Sequence, residues 1–169
     1  MKKIILFLLI LAVSFTFMGS AKADNTQGSL SVYANIMPVC AVYTNQMYFS
    51  GYPGSGNLAG NGDVQVNCAN GTTYHIALSS GQNYSGTSRR VVGNFPYSTD
   101  YLNYKIYKDG GYGEDWGDSD YANTYPGGSS IVDVGNGIVQ SHTAYGLLSN
   151  SLIAPTTQYY DVVTVNVDF

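Results

Sequence analysis

The chain has 169 residues, of which 44% are hydrophobic and 11% are charged, and its formal net charge is −4. That length supports one domain with a core large enough to fold alone. With 7 Lys and Arg, 2 Cys and 2 His, the chain has too few residues for a basic nucleic-acid surface and little for a structural zinc site. Its 20 Gly and 16 Tyr favour strands and turns over helices.

The amino terminus has the pattern of a secretory signal peptide. Lys2 and Lys3 precede an apolar run over 4–18, and Ala21-Lys22-Ala23 places small residues at a cleavage point. We expect residues 1–23 to be removed, because this run is short for a membrane span, which needs about 20 residues. The remaining 146 residues keep 4 basic and all 11 acidic side chains, so the exported product has a net charge of −7.

Export places the two cysteines in an oxidising compartment. Cys40 and Cys68 are the only cysteines in the sequence, so we expect them to pair. Closing this loop should stabilise the fold by about 3–4 kcal/mol if the gain comes from restricting the unfolded chain. Neither cysteine has a second Cys or a His close by in sequence, which argues against a metal or reactive-thiol role.

Short segments with alternating apolar residues, separated by Gly, Pro and Asn, predict β-strands along the chain. The first alternating set is Leu30, Val32, Ala34 and Ile36. Gly-rich residues 51–62 predict a loop, Asn70-Gly71 predicts a hairpin turn, and 109–130 predict a long loop. Apart from the first set, about seven strands favour an all-β sandwich. These strands are predicted over 40–49, 64–68, 74–78, 102–106, 131–134, 138–147 and 159–169.

The sequence lacks the common catalytic and cofactor motifs. It has no Gly-x-Ser-x-Gly, no phosphate-binding loop and no Gly-x-Gly-x-x-Gly. His75 alternates with the apolar residues of its strand, and His142 has Ser and Thr neighbours. We therefore expect neither enzyme activity nor a bound cofactor.

Two charged clusters have plausible local roles. Four acidic residues lie close together in the 109–130 loop, but their spacing does not match that of an EF-hand calcium loop. We expect a solvated acidic loop without a metal. Arg89-Arg90 is too small a basic pair to bind a polymer of phosphates, and it favours a salt bridge or a turn role. The acidic residues are Glu114, Asp115, Asp118 and Asp120.

Several tyrosines are expected to face solvent. Exposed tyrosines over Gly- and Asn-rich loops are typical of a carbohydrate-binding or adhesive surface, since Tyr offers apolar area with a polar tip. The high strand propensity of Tyr explains them without a ligand, and we favour that interpretation. The tyrosines are Tyr33, Tyr101, Tyr107, Tyr112, Tyr121 and Tyr125.

The alternating segment at the amino terminus allows two interpretations. Packed on its own domain, it would be an ordinary edge strand. If the domain instead lacked one strand, the same segment of a neighbouring molecule could fill the open groove. The apolar period is the same in both cases, so periodicity does not choose between them.

An ordered series of segments resembles the spore coat protein U domain family, which includes the subunits of archaic chaperone–usher pili. The series covers nearly all of the chain after residue 23 and contains both cysteines. Its members are Gly28 to Cys40, Phe49-Ser-Gly51, Val64 to Cys68, Tyr74 to Gly81, Arg89-Arg90, Leu102 to Tyr107, Trp116-Gly-Asp118, Tyr145-Gly146 and Tyr159 to Phe169.

This resemblance implies an incomplete immunoglobulin-like β-sandwich that lacks its last strand. Residues 24–37 would be the donor-strand segment, 38–169 the sandwich domain, and the Cys40–Cys68 disulfide would tie its first two strands. A periplasmic chaperone would cap the groove until the next subunit's donor strand replaces it at an outer-membrane usher. The donor residues would be Leu30, Val32, Ala34 and Ile36, and the strand that borders the groove and contacts the chaperone would carry Val163, Val165, Val167 and Phe169.

The resemblance therefore implies a structural subunit of a surface fibre, exported through the periplasm to the cell surface. Its partners would be identical or related pilin subunits, a periplasmic chaperone and an outer-membrane usher, with no nucleic acid. One alternative is a secreted coat protein of the spore coat U type. Another, from a different class, is a small carbohydrate-binding module that uses its exposed tyrosines.

Overall fold

A computed structural model describes residues 25–50, 56–149, 155 and 157–169. The predicted signal peptide lies outside these residues. The chain divides into two compact units after Asn35. Within the described part of the first unit, residues 25–35 belong to no strand, although alternation predicted one from Leu30 onwards.

Nine β-strands and no helix are present in the described residues, which confirms the all-β prediction. No helix there is long and apolar enough to cross a membrane. The strands are β1 (Cys40–Phe49), β2 (Leu58–Cys68), β3 (Thr73–Leu78), β4 (Arg89–Gly93), β5 (Tyr101–Tyr107), β6 (Ile131–Val134), β7 (Gln140–Leu148), β8 (Tyr159–Tyr160) and β9 (Val165–Asp168).

The strands form two antiparallel sheets that pack as a sandwich. One sheet has six strands in the order β1-β2-β7-β5-β4-β8, and the other has three in the order β6-β3-β9. The disulfide between Cys40 and Cys68 joins β1 to β2 at directly opposed positions, as predicted.

The core lies between the inward faces of the two sheets. Tyr74, Ile76 and Leu78 of β3 are buried, and they meet buried Val64 and Val66 from β2. These are the faces that the two-residue period predicted. Burying each large aliphatic side chain stabilises the fold by about 1.5–3 kcal/mol relative to leaving it exposed.

The structure corrects three details of the predicted strands. β2 begins at Leu58, inside the segment predicted as a loop. β4 was missed, because it is short and opens with Arg89 and Arg90. The predicted strand 159–169 is divided, with β8 in the six-stranded sheet and β9 in the three-stranded sheet.

The Asn70-Gly71 turn is present, but it does not close a hairpin. Gly71 adopts a positive φ of 81°, and the amide of Thr72 donates to the carbonyl of Ala69. The strands on either side, β2 and β3, belong to different sheets. The turn therefore carries the chain from one layer of the sandwich to the other.

Candidate functional site

The outer edge of β9 is the first candidate for the site where another strand could add. β9 pairs with β3 on one side, and no other described strand pairs with it. An unpaired edge presents backbone N–H and C=O groups that can accept a further strand. We call this edge, together with Val163, Val165 and Val167, the acceptor edge.

Burial falls sharply from β3 to the acceptor edge. Val167 lies directly opposite Ile76, and Val165 lies opposite Leu78, so each pair shares a face of the sheet. Both β3 residues are buried, yet their β9 partners are only half-buried although they pack on the same core. The core is thus incompletely covered beside β9.

The six-stranded sheet shows the same fall in burial towards β1. Val42 lies opposite Val66, and it is exposed while Val66 is buried. β1 pairs only with β2 among the described strands. The opposite edges show the same fall, since half-buried Ile131 of β6 lies opposite Ile76 and exposed Tyr160 of β8 lies opposite buried Val92.

Asp161 holds the chain where it crosses from one sheet to the other ahead of β9. Its Oδ1 accepts hydrogen bonds from the backbone amides of Gln82 at 3.0 Å and Asn83 at 3.1 Å. Its Oδ2 accepts one from the Tyr104 hydroxyl at 2.6 Å. Burial, followed by this bond to Asp161, raises the pKa of Tyr104. The carboxylate thus anchors the segment that leads into the acceptor edge.

Gly81 makes room for that anchor. It has a φ of +83°, and a Cβ atom there would overlap the Asp161 carboxylate. Gly81, Tyr104 and Asp161 all lie in segments that resemble the spore coat family. Alternation predicted only that Tyr104 faces the core, and no role was predicted for the other two. The structure gives the three residues one shared function, to fix the start of the last strand.

Arg89 is a buried core residue, which corrects the predicted salt-bridge or turn role. Its guanidinium donates to the backbone carbonyls of Ser79, Leu78 and Trp116 at 2.8–2.9 Å. It also stacks over the Tyr125 ring, 3.9 Å from the centroid. Burial lowers its pKa. Arg89 therefore ties the end of β3 to the long loop that precedes β6.

Two acidic residues of the long loop accept hydrogen bonds from other residues of the same loop. Asp118 is buried, and it accepts hydrogen bonds from the Tyr125 amide and the Thr124 hydroxyl. Asp120 accepts from Ser130, and this bond lowers its pKa. The prediction of a solvated acidic loop is therefore wrong for Asp118. Across the described residues, no group of three His, Cys, Asp or Glu side chains could hold a metal ion.

Two other acidic residues of this loop lie nearer the surface. Asp115 forms an ion pair with Lys105 at 2.8 Å, and Glu114 is exposed. Their positions fit the solvated part of the predicted loop.

The six tyrosines predicted to be exposed separate into two groups. Tyr33, Tyr101 and Tyr121 are exposed, as expected. Tyr107 and Tyr125 are buried and Tyr112 is half-buried, so the prediction was wrong for these three. Tyr112 packs edge-on against Tyr107, with ring centroids 5.3 Å apart. Two of the six tyrosines thus belong to the interior, and Tyr112 lies at its margin.

His142 sits in a polar cluster between the sheets that has no catalytic geometry. Its Nε2 lies 3.0 Å from the Tyr74 hydroxyl and 3.7 Å from Asp133. Tyr74 is fully buried, and burial together with Asp133 raises its pKa to about 12. A buried phenol that resists ionisation is a poor nucleophile, so the cluster is best explained as a link between β3, β6 and β7.

The donor residues predicted at the amino terminus are almost fully exposed. Leu30 is 89% exposed, Val32 is 83% exposed and Ile36 is 90% exposed. Tyr33, the residue after Val32, is also exposed. These apolar side chains are therefore exposed to water in the described chain.

A solved structure shares this fold. The chain matches the crystal structure of a complex between the chaperone CsuC and the tip adhesion subunit CsuE, from the archaic chaperone–usher Csu pili of Acinetobacter baumannii. That match has a TM-score of 0.56 at 21% identity, and it covers 79% of this chain but 40% of the other. A chaperone–tip adhesin complex of CFA/I fimbriae matches with a TM-score of 0.37 at 10% identity, over 75% of this chain and 40% of that one. The chain thus spans less than half the length of each.

The sequence comparison identifies the family. No curated protein matches the chain. The profile of the Spore Coat Protein U domain, however, matches residues 26–166, which include both cysteines and the first residue of each of the nine described strands. The chain therefore belongs to the Spore Coat Protein U domain family.

Proposed function

We propose that this protein is a structural subunit of a surface fibre, and that its subunits join by donor-strand exchange. In this proposal, residues 24–37 of one subunit add to the acceptor edge of another. The observation that carries the proposal is the half-buried state of Val165 and Val167 opposite buried Leu78 and Ile76. An added strand would complete their burial.

The donor segment offers the matching side chains. Leu30, Val32 and Ile36 would each contribute about 1.5–3 kcal/mol on burial, and Ala34 would contribute less. Backbone hydrogen bonds to β9 would add to this. The exposed run and the uncovered core are thus two halves of one interaction between different copies.

A periplasmic chaperone and an outer-membrane usher complete the proposed pathway. A free subunit with an open apolar edge would aggregate during export, so a chaperone must cover it first. The Csu relative was crystallised as a pre-assembly complex with its chaperone, which supports such a partner here. Val163 and Phe169 would extend the covered surface beyond Val165 and Val167. The protein would reach the cell surface through the periplasm and perform no catalysis.

Substitution of one donor residue tests the proposal. We expect Val32→Asp to abolish SDS-resistant oligomers while leaving export intact, because an unpaired charge cannot enter an apolar groove. Deletion of residues 24–37 should have the same effect. The measurement is an unheated SDS gel of cell-surface material, with electron microscopy of the fibres.

Tyr33→Asp is the matched control, because in an extended donor strand the side chain of the adjacent residue Tyr33 would point to the opposite face from Val32. Fibres should form in this variant. Fibres of normal length from Val32→Asp would count against donor-strand exchange.

The family description also favours a second assembly, a coat on a cell or spore surface. Such a coat could use the same strand donation without a dedicated usher. Expression with and without a matched chaperone and usher distinguishes the two, because only a pilus subunit needs both to form fibres.

A further inference from the structure

One end of the sandwich carries an exposed apolar surface built on three adjoining backbone segments. The amide of Ala69 donates to the carbonyl of Val39 at 3.0 Å, and the amide of Gly137 donates to the carbonyl of Cys68 at 3.1 Å. The amide of Gly71 donates to the carbonyl of Gly135 at 2.8 Å. The segment before β1 and the loop between β6 and β7 therefore flank the turn between β2 and β3.

Four apolar side chains at this end are exposed, beside the exposed polar side chains of Asn70 and Asn136. Met37 is 71% exposed, Val39 is 64%, Ile138 is 66% and Val139 is 51% exposed. We call these four residues the pole patch. No Asp, Glu, Lys or Arg occurs in 36–39, 68–72 or 134–140. An uncharged apolar surface held by backbone hydrogen bonds is typical of an interaction site.

The donor segment is tied to this end by a very short tether. Ile36 is the last predicted donor residue, and Val39 is already hydrogen-bonded to Ala69. Three residues of extended chain span at most about 11 Å. A copy that holds Ile36 in its groove must therefore lie within about 11 Å of Val39, close to the turn at Ala69.

We infer that the pole patch is a second contact between successive subunits, covered by the copy that receives the donor strand. This inference rests on the proposed function and deepens it. Strand donation alone would leave a flexible string of domains. A packed pole would also restrict the angle between neighbours, because the short tether and the apolar patch act on the same end of the domain.

Cysteine labelling can test this contact, because both native cysteines are in the disulfide and no free cysteine is present. The test variant is Ile138→Cys. The control is Val132→Cys, which replaces a similarly exposed apolar residue on β6 outside the patch. Each variant is labelled with a maleimide in two states of the full chain. In one state the subunits are polymerised, and in the other each chain is saturated with a synthetic peptide of residues 25–37.

The groove is filled in both states, but only in the polymer does the domain of a neighbouring subunit lie next to the pole patch. We expect Ile138→Cys to react about tenfold more slowly in the polymer than in the peptide-filled chain, with Val132→Cys unchanged. Equal rates for Ile138→Cys, or equal slowing at both positions, would overturn the inference and leave strand donation standing. A chain that neither binds the peptide nor polymerises would remove the proposed function, and the pole contact with it.

Discussion

Arg89 places a positive charge inside the sandwich. Within the described residues, no carboxylate forms a hydrogen bond or an ion pair with it. The guanidinium instead donates to three backbone carbonyls and rests on the Tyr125 ring. Carbonyl dipoles and an aromatic face offset part of the cost of burying the charge. The residue thus acts as a rigid connector between β3 and the loop that carries Trp116.

Truncation of Arg89 should therefore be severely destabilising. We expect Arg89→Ala to lower the free energy of unfolding by about 3–5 kcal/mol, because it removes the donor to the buried carbonyls of Leu78 and Trp116 and to the partly buried carbonyl of Ser79. Arg90→Ala is the matched control, with an expected cost of about 1 kcal/mol, since Arg90 makes one backbone hydrogen bond and one contact with the Tyr101 ring. Urea unfolding can be followed by the fluorescence of Trp116, the single and fully buried tryptophan. Equal effects of the two substitutions would contradict this role.

His142 should make the stability of the fold sensitive to mild acid. Burial lowers its pKa from the ordinary 6.5, against the opposing influence of Asp133 and Asp63. The folded state prefers neutral His142. Its contribution to the free energy of unfolding is therefore complete above pH 6.5 and is lost as the pH falls through the pKa of the folded state. We expect the free energy of unfolding to decrease between pH 7 and pH 5. In His142→Gln the decrease should be smaller, and an identical pH profile would show that His142 does not cause it.

The last strand shows how far alternation in the sequence determines an element. Inward-facing residues recur at every second position from Tyr159 through Asp161 to Val167. The period continues unbroken while the chain changes sheets, because it reports which face is buried and not which strand is the neighbour. The division into β8 and β9 was therefore invisible in the sequence.

β4 and the start of β2 were not predicted, because their local sequences interrupt the apolar alternation. β4 opens with Arg89, and a buried arginine interrupts the apolar pattern that predicts a strand. β2 begins among glycines, where Gly60 lies against the backbone of Tyr48 so closely that a Cβ would overlap it. By contrast, the inner faces of β3 and β5 and the disulfide were correct, since burial there follows the two-residue period. Of the candidate site, the donor residues and the acceptor edge remain predictions from the family resemblance.

The crossing segment ahead of β9 can be tested through its glycine. We expect Gly81→Ala to lower the free energy of unfolding by about 3 kcal/mol, from strain at positive φ and displacement of Asp161. Gly86→Ala is the control, because Gly86 also has a positive φ of 64° but nothing lies within 4 Å of its added Cβ. It should cost about 1 kcal/mol. A difference between the two that vanishes in an Asp161→Ala background would locate the effect at the carboxylate, whereas a difference that persists would place it elsewhere.

At the scale of the whole molecule, the domain combines a well-packed interior with edges left uncovered. Tyr74, Ile76 and Trp116 are fully buried, while the valines of the acceptor edge keep part of their surface in water. An open apolar edge is an aggregation hazard in a soluble protein. In a fibre subunit the same edge becomes the assembly site, provided that the strand that fills it comes from another copy.

Disulfide trapping between two variants of the chain tests most directly whether the added strand comes from another copy. One chain carries Val32→Cys, and a second carries Val163→Cys, Val165→Cys or Val167→Cys in turn. Paired strands bring Cα atoms to within about 5.5 Å, which suits a disulfide. After the two chains are mixed, we predict cross-linked pairs that contain one chain of each kind. The contrary result is a dilute chain with both substitutions that cross-links only to itself, which would make residues 30–36 an edge strand of their own domain.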